Sequence, residues 1–364
     1  MPSDRDEDDI DWFRPVWETE DEENLDPPSP ALSRARPPEL DFDHPLLTPL
    51  ARAQDALARL EAKTEAAAAV VAEGLRARMS YFEAAGWLRH AHVWIHPWDL
   101  ALRDHGATTS YGVAAHSDRL TSALPWTAQQ SAFEVPPSDI MVNLALRFAR
   151  HWRYLAEMRT LRPLADTKSV RETLQSMGFT APEDNEIADW LASVRGLGRG
   201  PALIRAGRAG REWTNLAGVK ERNADGSFLA ACLWQEQNRE APIPLPFWSA
   251  PEPRHHRLSL KIGLPWLVEF LDCVTAAASI GLRELKRLQE TEQQGRTLGV
   301  TARSRLPDAL AAIVREPVVT AVSLASTVGI SPQAALGLLR QLVTAGIARE
   351  ATGRASWRAF VLKE

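Results

Sequence analysis

The C-terminal region, from residue 306 onward, contains residues that typically begin and end helices, and their order limits the folds that it can adopt. Pro307 begins the apolar-periodic run LPDALAAIVR, and Gly329 follows a second short run, AVSLASTV. Ser331 and Pro332 open a third run, QAALGLLRQLVT, which ends before Gly346. Proline suits a first helical turn, serine suits an N-cap, and glycine suits the positive φ of a turn or helix end. These signals predict three short helices, with the last two joined as a helix-turn-helix.

The third predicted helix has an apolar stripe and an opposite polar face. The stripe recurs at intervals of three and four residues and is predicted to face inward; its members are Ala335, Leu338, Leu339 and Leu342. Glutamine can pair with adenine in a major groove, and arginine can reach guanine or phosphate. The opposite face is therefore predicted to contact DNA through Ser331, Gln333, Ala334, Gly337, Arg340, Gln341 and Thr344.

The segment IAREATGRASWRAFVL predicts a β-hairpin after the third helix. Its turn contains Gly353, and the following SWRAFVL alternates between apolar and polar residues. Arg354 at the tip and Arg358 on the second strand are predicted to contact the DNA backbone as a wing. The region is thus predicted to be a winged helix-turn-helix that binds double-stranded DNA. A winged helix used for protein contact is the alternative, which the off-stripe apolar residues Leu336 and Val343 favour.

Upstream of this region the chain is predicted to be a helical bundle. Helix formers with apolar residues three and four apart fill residues 45–103, 137–159, 168–177 and 182–195, the last opening with Pro182 in its first turn. Glycine, arginine and proline interrupt the pattern over residues 196–257, which predicts loops around short helices. The fold class is therefore mainly α: a helical domain at 45–294, and a winged helix-turn-helix with a small β-hairpin at 295–364.

The apolar stripe of residues 264–294 predicts one long amphipathic helix. Such a helix serves either as the core of the helical domain or as a dimer seam, and the small residues Ala278 and Gly281 within the stripe favour the core. Whether the protein is a monomer or a homodimer stays open.

Charge is distributed unevenly along the chain. Residues 1–43 contain fifteen acidic and four basic residues, whereas residues 296–364 contain nine basic and four acidic residues. Acidic and proline-rich composition predicts a disordered tail over residues 1–44. A basic C-terminal region favours a DNA-facing surface there, although the whole chain has a net charge of −5.

Other classes of protein have little support in the sequence. The first residues lack a basic segment followed by an apolar one, and no apolar run of about 20 residues suggests a membrane span. The cysteines Cys232 and Cys273 form no metal or redox motif. We therefore expect a cytoplasmic protein that has no membrane association, metal site, cofactor or disulfide.

The C-terminal runs also carry a family resemblance. SRLPDALAAIVREPVV and GISPQAALGLLRQLVTAGIAREATGRASWRAFVL resemble alphaproteobacterial proteins that join a domain of unknown function to a C-terminal helix-turn-helix DNA-binding domain. The resemblance is close over residues 264–362 and weaker over residues 45–253. The order of LPFWS, PWLVEFLDCV, a linker and a winged helix is also similar to Fic-type proteins, all-helical enzymes that transfer nucleotide groups to hydroxyls. This second resemblance implies a Fic-like helical scaffold.

The residues of Fic-type catalysis are absent from the sequence. That chemistry needs a histidine base and a glycine-rich Asn-Gly-Arg loop that holds phosphates. His96 and Pro97 begin only an HPW segment, and no GNGR-like segment follows. We therefore expect a non-enzymatic bacterial DNA-binding regulator with no catalytic residues. The alternatives are a protein-interaction scaffold and, less favoured, a degenerate nucleotidyl transferase.

Overall fold

A computed structural model describes most of the chain from His44 onward. The described residues are 44–91, 93–106, 138–157, 160, 162–198, 200–216, 223–251, 263–298, 304–352 and 358–363. They are mainly α-helical with one small sheet, which confirms the predicted fold class. The predicted acidic tail, apart from His44, lies outside the described residues.

The described residues form twelve helices and three short strands. Nine helices precede residue 300 and are called here the helical body: α1 (Leu47–Glu65), α2 (Ala69–His90), α3 (Pro97–Asp104), α4 (Ser138–Leu155), α5 (Thr167–Met177), α6 (Asp184–Gly196), α7 (Ala202–Leu216), α8 (Asn223–Gln237) and α9 (Leu264–Arg296). The remaining elements are α10 (Leu306–Arg315), β1 (Val319–Thr320), α11 (Ala321–Val328), α12 (Pro332–Thr344), β2 (Ala348–Glu350) and β3 (Ala359–Leu362).

The start of α6 differs slightly from the prediction. Pro182 lies before the helix rather than in its first turn, because Glu183 is the N-cap. The side chain of Glu186 accepts the backbone N–H of Glu183 at 3.0 Å, completing a capping box. This reciprocal cap fixes the helix start at Asp184.

The long helix α9 lies in the core of the helical body. It packs against α1 and α2, and its residues Leu271, Val274 and Leu288 are fully buried. Only Leu264, at the first turn of the helix, remains exposed among the predicted stripe. The stripe is therefore buried within the chain, which confirms its role in the core and leaves it unavailable as a dimer seam.

By length and composition, α9 would also suit a membrane span. Its most apolar 18-residue window has a mean hydropathy of 1.3, although no such span was expected from the sequence. More than half of that window, 56%, is buried inside the protein, and central helices of globular proteins share this composition. The bent pair formed by α11 and α12 reaches the same threshold only when both helices are taken together.

The segment predicted to be loops around short helices instead contains two full helices, α7 and α8. They pack closely against one another, and a Cβ built on Gly210 would lie 2.7 Å from the carbonyl oxygen of Gly226. Gly207 similarly lies against the ring of Phe270. The prediction was wrong because these glycines, which ordinarily interrupt helices, here allow two helix backbones to approach.

A buried carboxylate fixes the LPFWS segment to α2. Glu83 accepts the backbone N–H groups of Phe247, Trp248 and Ser249 at 2.7–3.0 Å, and the Ser249 hydroxyl at 2.6 Å. Burial raises the pKa of Glu83, and these hydrogen bonds oppose the rise. Gly86 allows the same approach, since a Cβ there would overlap the Trp248 carbonyl oxygen.

A buried arginine joins the helical body to α10. Arg78 on α2 is 0% exposed and donates to the carbonyl oxygens of Ile313, Val314 and Glu316 at 2.9, 2.6 and 3.2 Å. These carbonyls end α10, where a helix has unsatisfied acceptors and partial negative charge. The Nε atom of Arg78 also lies 3.3 Å from Oε1 of Glu284 on α9. Arg78 therefore acts as a tertiary cap for the first helix of the C-terminal region.

Close packing surrounds this cap. A Cβ at Gly74 would overlap the Val314 carbonyl oxygen, and one at Gly295 would overlap the side chain of Leu310. Both sides of the predicted boundary at residues 294 and 295 lie in the compact unit His44–Glu364. The division of this unit into two domains stays a prediction.

Candidate nucleic-acid interface

The three C-terminal helices begin and end where the sequence predicts. Thr320 caps α11 in a box with Ser323, and Gly329 ends it with a φ of 72°. The Ser331 hydroxyl accepts the backbone N–H of Ala334 at 3.2 Å, which places Pro332 in the first turn of α12. The turn requires a residue with positive φ, and glycine adopts that conformation without the strain that a side chain would cause. The order α11, turn, α12 is a helix-turn-helix.

One face of α12 is buried against the rest of the C-terminal region. Ala335, Leu339 and Leu342 are each 0% exposed, as predicted. Leu338 was predicted to share this face but is only half-buried. At about 100° per residue it lies at the edge of the stripe, whereas the other three cluster about its centre.

The opposite face of α12 is open to solvent. Of its predicted DNA contacts, Gly337 is half-buried, while those with exposed side chains are Ser331, Gln333, Ala334, Arg340, Gln341 and Thr344. Apart from Ser331, which is the N-cap, these positions lie on the side of α12 away from the buried stripe, so the structure brings them together on one surface. We call this surface the α12 face.

The α12 face carries little charge. Neither α11 nor α12 contains an acidic residue, and Arg340 is the one charged residue of the two helices. Elsewhere in residues 304–363, Arg349 and Lys363 are exposed, and no carboxylate of the described residues pairs with either. A few exposed cations near the helix-turn-helix therefore supply the positive charge that could contact DNA.

Other basic residues of this region are already paired. Arg315 lies 2.6 Å from Glu73 of the helical body, and Arg305 lies 3.2 Å from Asp308. Arg358, a predicted backbone contact, has its Nε 3.8 Å from Oε1 of Glu350. Arg354 and Gly353 of the predicted hairpin tip lie outside the described residues.

The predicted hairpin is present, but it belongs to a three-stranded antiparallel sheet with the order β1-β3-β2. Val319 pairs with Phe360, and Ala348 pairs with Leu362. All four residues of β3 are buried, so the predicted alternation of apolar and polar faces is wrong for this strand. A central strand has neighbours on both sides, and its two faces can be covered. The β-branched residues before α11 were the signal for the missed strand β1.

Three histidines, His90, His92 and His96, lie close together in the sequence before α3. The exposed ring of His96 accepts the backbone N–H of Trp98 at 3.3 Å and caps α3, and His90 lies 4.9 Å from the ring of Trp248. His92 lies outside the described residues. In the part of the chain that the structure describes, no group of three or more His, Cys, Asp or Glu residues could hold a metal ion.

Comparison with known proteins gives its most direct result for the C-terminal region. Residues 306–362 match the family described as "HTH DNA binding domain". The uncharacterized protein y4cF of Sinorhizobium fredii is 28% identical over 185 residues, which is 49% of this chain. The chain spans about half the length of this relative, since the match covers 47% of it. Similarity of the helical body to Fic-type proteins stays a prediction. Residues 306–362 are a helix-turn-helix DNA-binding domain.

Proposed function

We propose that the protein is a transcriptional regulator that binds double-stranded DNA with α12 in the major groove. The observation that carries this proposal is the α12 face: small, polar and free of acidic residues, in a helix-turn-helix DNA-binding domain. A recognition helix needs such a face because its N-terminal half must approach base edges closely.

The side chains of the α12 face suit base reading. Gln333 stands in the first turn, where its amide can donate to and accept from adenine. Ala334 beside it offers a methyl group to thymine, and Arg340, about two turns after Gln333, can reach guanine or phosphate. The N-terminal N–H groups of α12 favour a phosphate as well.

We further propose that the β2–β3 hairpin acts as a wing on the DNA backbone. Arg349 on β2 is exposed, and Arg354 belongs to the segment between the two strands. Arg358 would first have to leave Glu350, so we expect it to contribute less than the other two. We expect the protein in the cytoplasm, where bacterial DNA lies, and its oligomeric state stays open.

Selection from a random duplex library tests this proposal. The full chain is expected to enrich one double-stranded sequence and to bind it at least about a thousand times more tightly than random duplex. Arg340→Ala should weaken this binding, whereas Lys286→Ala, which removes an exposed cation from α9, should leave it unchanged. Failure to enrich any sequence, together with no affinity for duplex at low salt, would contradict the proposal.

Protein contact is a second candidate function, favoured by apolar exposure near the helix-turn-helix. Val322 is 69% exposed on α11, and Val343 is 37% exposed on α12. Exposed valines suit a protein partner better than a charged DNA backbone. The substitutions Val322→Thr and Val343→Thr separate the two candidates, since they should spare DNA affinity and abolish association with a protein partner.

We also propose that the helical body has no nucleotide-transfer activity. The candidate base considered from the sequence, His96, caps α3 through Trp98 and has no phosphate-binding loop beside it in the sequence. Incubation of the full chain with labelled ATP and divalent cations should give no label on the protein. Labelling of the native chain that His96→Ala abolishes would overturn this proposal.

A further inference from the structure

A polar cavity of about 280 Å³ lies where the helical body meets the end of α10. We call it the junction cavity. Its wall includes residues from α2, α3, α4 and the residue that follows α10; those used below are Tyr81, Asp104, Arg150, Arg153, Tyr154 and Glu316. This volume holds several water molecules or one molecule of amino-acid size.

Two ion pairs lie on the wall of the cavity. Arg153 donates to both carboxylate oxygens of Glu316, at 3.2 Å each. The Nε atom of Arg150 donates to Asp104 at 3.0 Å, and the Tyr81 hydroxyl donates to the same carboxylate at 2.7 Å. Asp104 is 11% exposed and Arg153 is 25% exposed, while Arg150 is 56% exposed. Among these charges Arg150 is the most open to solvent and Asp104 the most sheltered.

The charge balance of the wall selects one class of ligand. A simple anion that displaced a carboxylate from its arginine would leave that carboxylate unpaired, and a simple cation would leave the arginine unpaired. An unpaired, partly buried charge is costly. A zwitterion avoids this cost, because its carboxylate can take the guanidinium while its ammonium takes the displaced carboxylate.

We propose that the junction cavity binds a free α-amino acid. The α-carboxylate pairs with Arg153 or Arg150, and the α-ammonium pairs with Glu316 or Asp104. Tyr154, which is 51% exposed on the same face of α4, borders the entrance and contacts the amino-acid side chain. Bidentate pairing of guanidinium with carboxylate supplies the directional part of recognition.

The cavity is coupled to the DNA-binding domain through Glu316. This residue ends α10, its side chain pairs with Arg153, and its carbonyl oxygen accepts from Arg78. An amino acid that takes over Arg153 changes the contact that holds the first helix of the domain to α4. On the proposed DNA-binding function, the amino acid therefore changes DNA affinity, and DNA changes amino-acid affinity by the same factor.

Thermal unfolding of the full chain with each of the twenty standard amino acids, at millimolar concentration, tests the site without DNA. At least one amino acid should raise the unfolding midpoint by about 2 °C or more. Its N-acetyl and carboxamide derivatives, each of which lacks one charge, should not. No rise with any amino acid, or an equal rise with the derivatives, would overturn the proposal.

Variants locate the effect, with binding measured calorimetrically below the unfolding midpoint. Arg153→Gln should weaken binding of that amino acid at least tenfold, and Arg171→Gln, which breaks an exposed pair with Asp184 on another face, should leave it unchanged. The double variant Arg153→Glu with Glu316→Arg keeps an ion pair and so protects the fold, and it should also lose binding. Native affinity in Arg153→Gln or in the double variant would place binding elsewhere.

A measurement of DNA affinity tests the coupling separately from the amino-acid site. With the selected duplex, the amino acid should change the affinity of the native chain at least threefold and leave that of Arg153→Gln unchanged. An unchanged affinity in the native chain would overturn the coupling alone. If the native chain binds no duplex, the proposed function is wrong. Thermal unfolding and calorimetry would still show whether the junction cavity binds an amino acid.

Discussion

The guanidinium of Arg78 donates a hydrogen bond of 2.6 Å to the carbonyl oxygen of Val314, from the helical body to the DNA-binding domain. The donor is fully buried, and it reaches two further carbonyls at the end of α10. Burial lowers the pKa of Arg78 to about 10, so it remains charged at neutral pH. One side chain thus satisfies three acceptors at the end of a helix.

Loss of this cap should destabilise the whole unit. Arg78→Met removes the donor to the three carbonyls at the end of α10 and the positive charge beside Glu284. We expect the free energy of unfolding to fall by about 3–5 kcal/mol in urea titrations. Arg59→Met, which breaks an exposed pair with Asp55, should cost less than about 1 kcal/mol. Equal costs for the two variants would contradict the role of Arg78.

The glycine contact between α7 and α8 should tolerate no side chain. Gly210→Ala places a Cβ against the backbone carbonyl of Gly226, and backbone cannot rotate away. We expect a loss of about 1–3 kcal/mol in the free energy of unfolding. Gly196→Ala is the matched control, because a Cβ at that helix end meets open space. A neutral Gly210→Ala would mean that the two helices are not packed this closely.

Stability should fall as pH rises from about 4.5 to about 7 because of Glu61. Burial, and next the charge of Glu65, raise the pKa of Glu61 from 4.5 to about 7, and its Oε1 has no hydrogen-bond partner in the described structure. The folded state therefore binds the proton more tightly than the unfolded chain does, and this stabilisation is lost between about pH 4.5 and pH 7. Relative to the native chain, Glu61→Gln should gain about 1–3 kcal/mol at pH 8 and little at pH 4.5.

Urea unfolding at the two pH values measures this difference. Glu172→Gln, which changes an exposed carboxylate paired with Lys168, serves as the control and should be insensitive to pH over this range. A gain for Glu61→Gln that is the same at both pH values would show that the carboxyl does not titrate between them.

DNA affinity should depend only moderately on salt. The cations assigned to DNA are Arg340 and Arg349, which are exposed and pair with no carboxylate of the described residues, and Arg354 in the segment between β2 and β3. About three phosphate contacts predict a slope of about −3 in a plot of log affinity against log salt. Arg349→Ala should reduce its magnitude by about one and leave base preference unchanged. A slope as steep as about −8 would show that much of the contact lies outside the helix-turn-helix.

Local signals predicted the C-terminal region well. Pro307, Gly329 and Ser331 fix helix ends through their own backbone chemistry, so their effects need no knowledge of distant residues. The inward positions Ala335 and Leu342 follow from helical periodicity in the same way. The half-burial of Leu338 and the pairing of Arg358 with Glu350 depend on neighbouring elements, and the sequence did not indicate them.

The wrong predictions for the helical body arise because tertiary packing outweighs local sequence preferences. Gly207, Gly210 and Gly226 have low helix propensity, but close helix packing outweighs that cost. Arg78 and Glu83 resemble ordinary surface charges in the sequence, and only the fold shows that they bind carbonyl and N–H groups from residues far along the chain. The junction cavity likewise collects residues separated by more than 150 positions, through the pairing of Arg153 with Glu316.

The central claim is that the α12 face reads base edges, and Gln333 tests it most directly. Affinity of the full chain should be measured for the selected duplex, for its single-base variants and for random duplex. Gln333→Ala should cost about 1–3 kcal/mol on the selected duplex, remove discrimination at one base position and leave random duplex unaffected. Gln293→Ala, which removes an exposed glutamine from α9, should behave as the native chain. An equal loss on selected and random DNA, or no loss on either, would contradict base reading by this face.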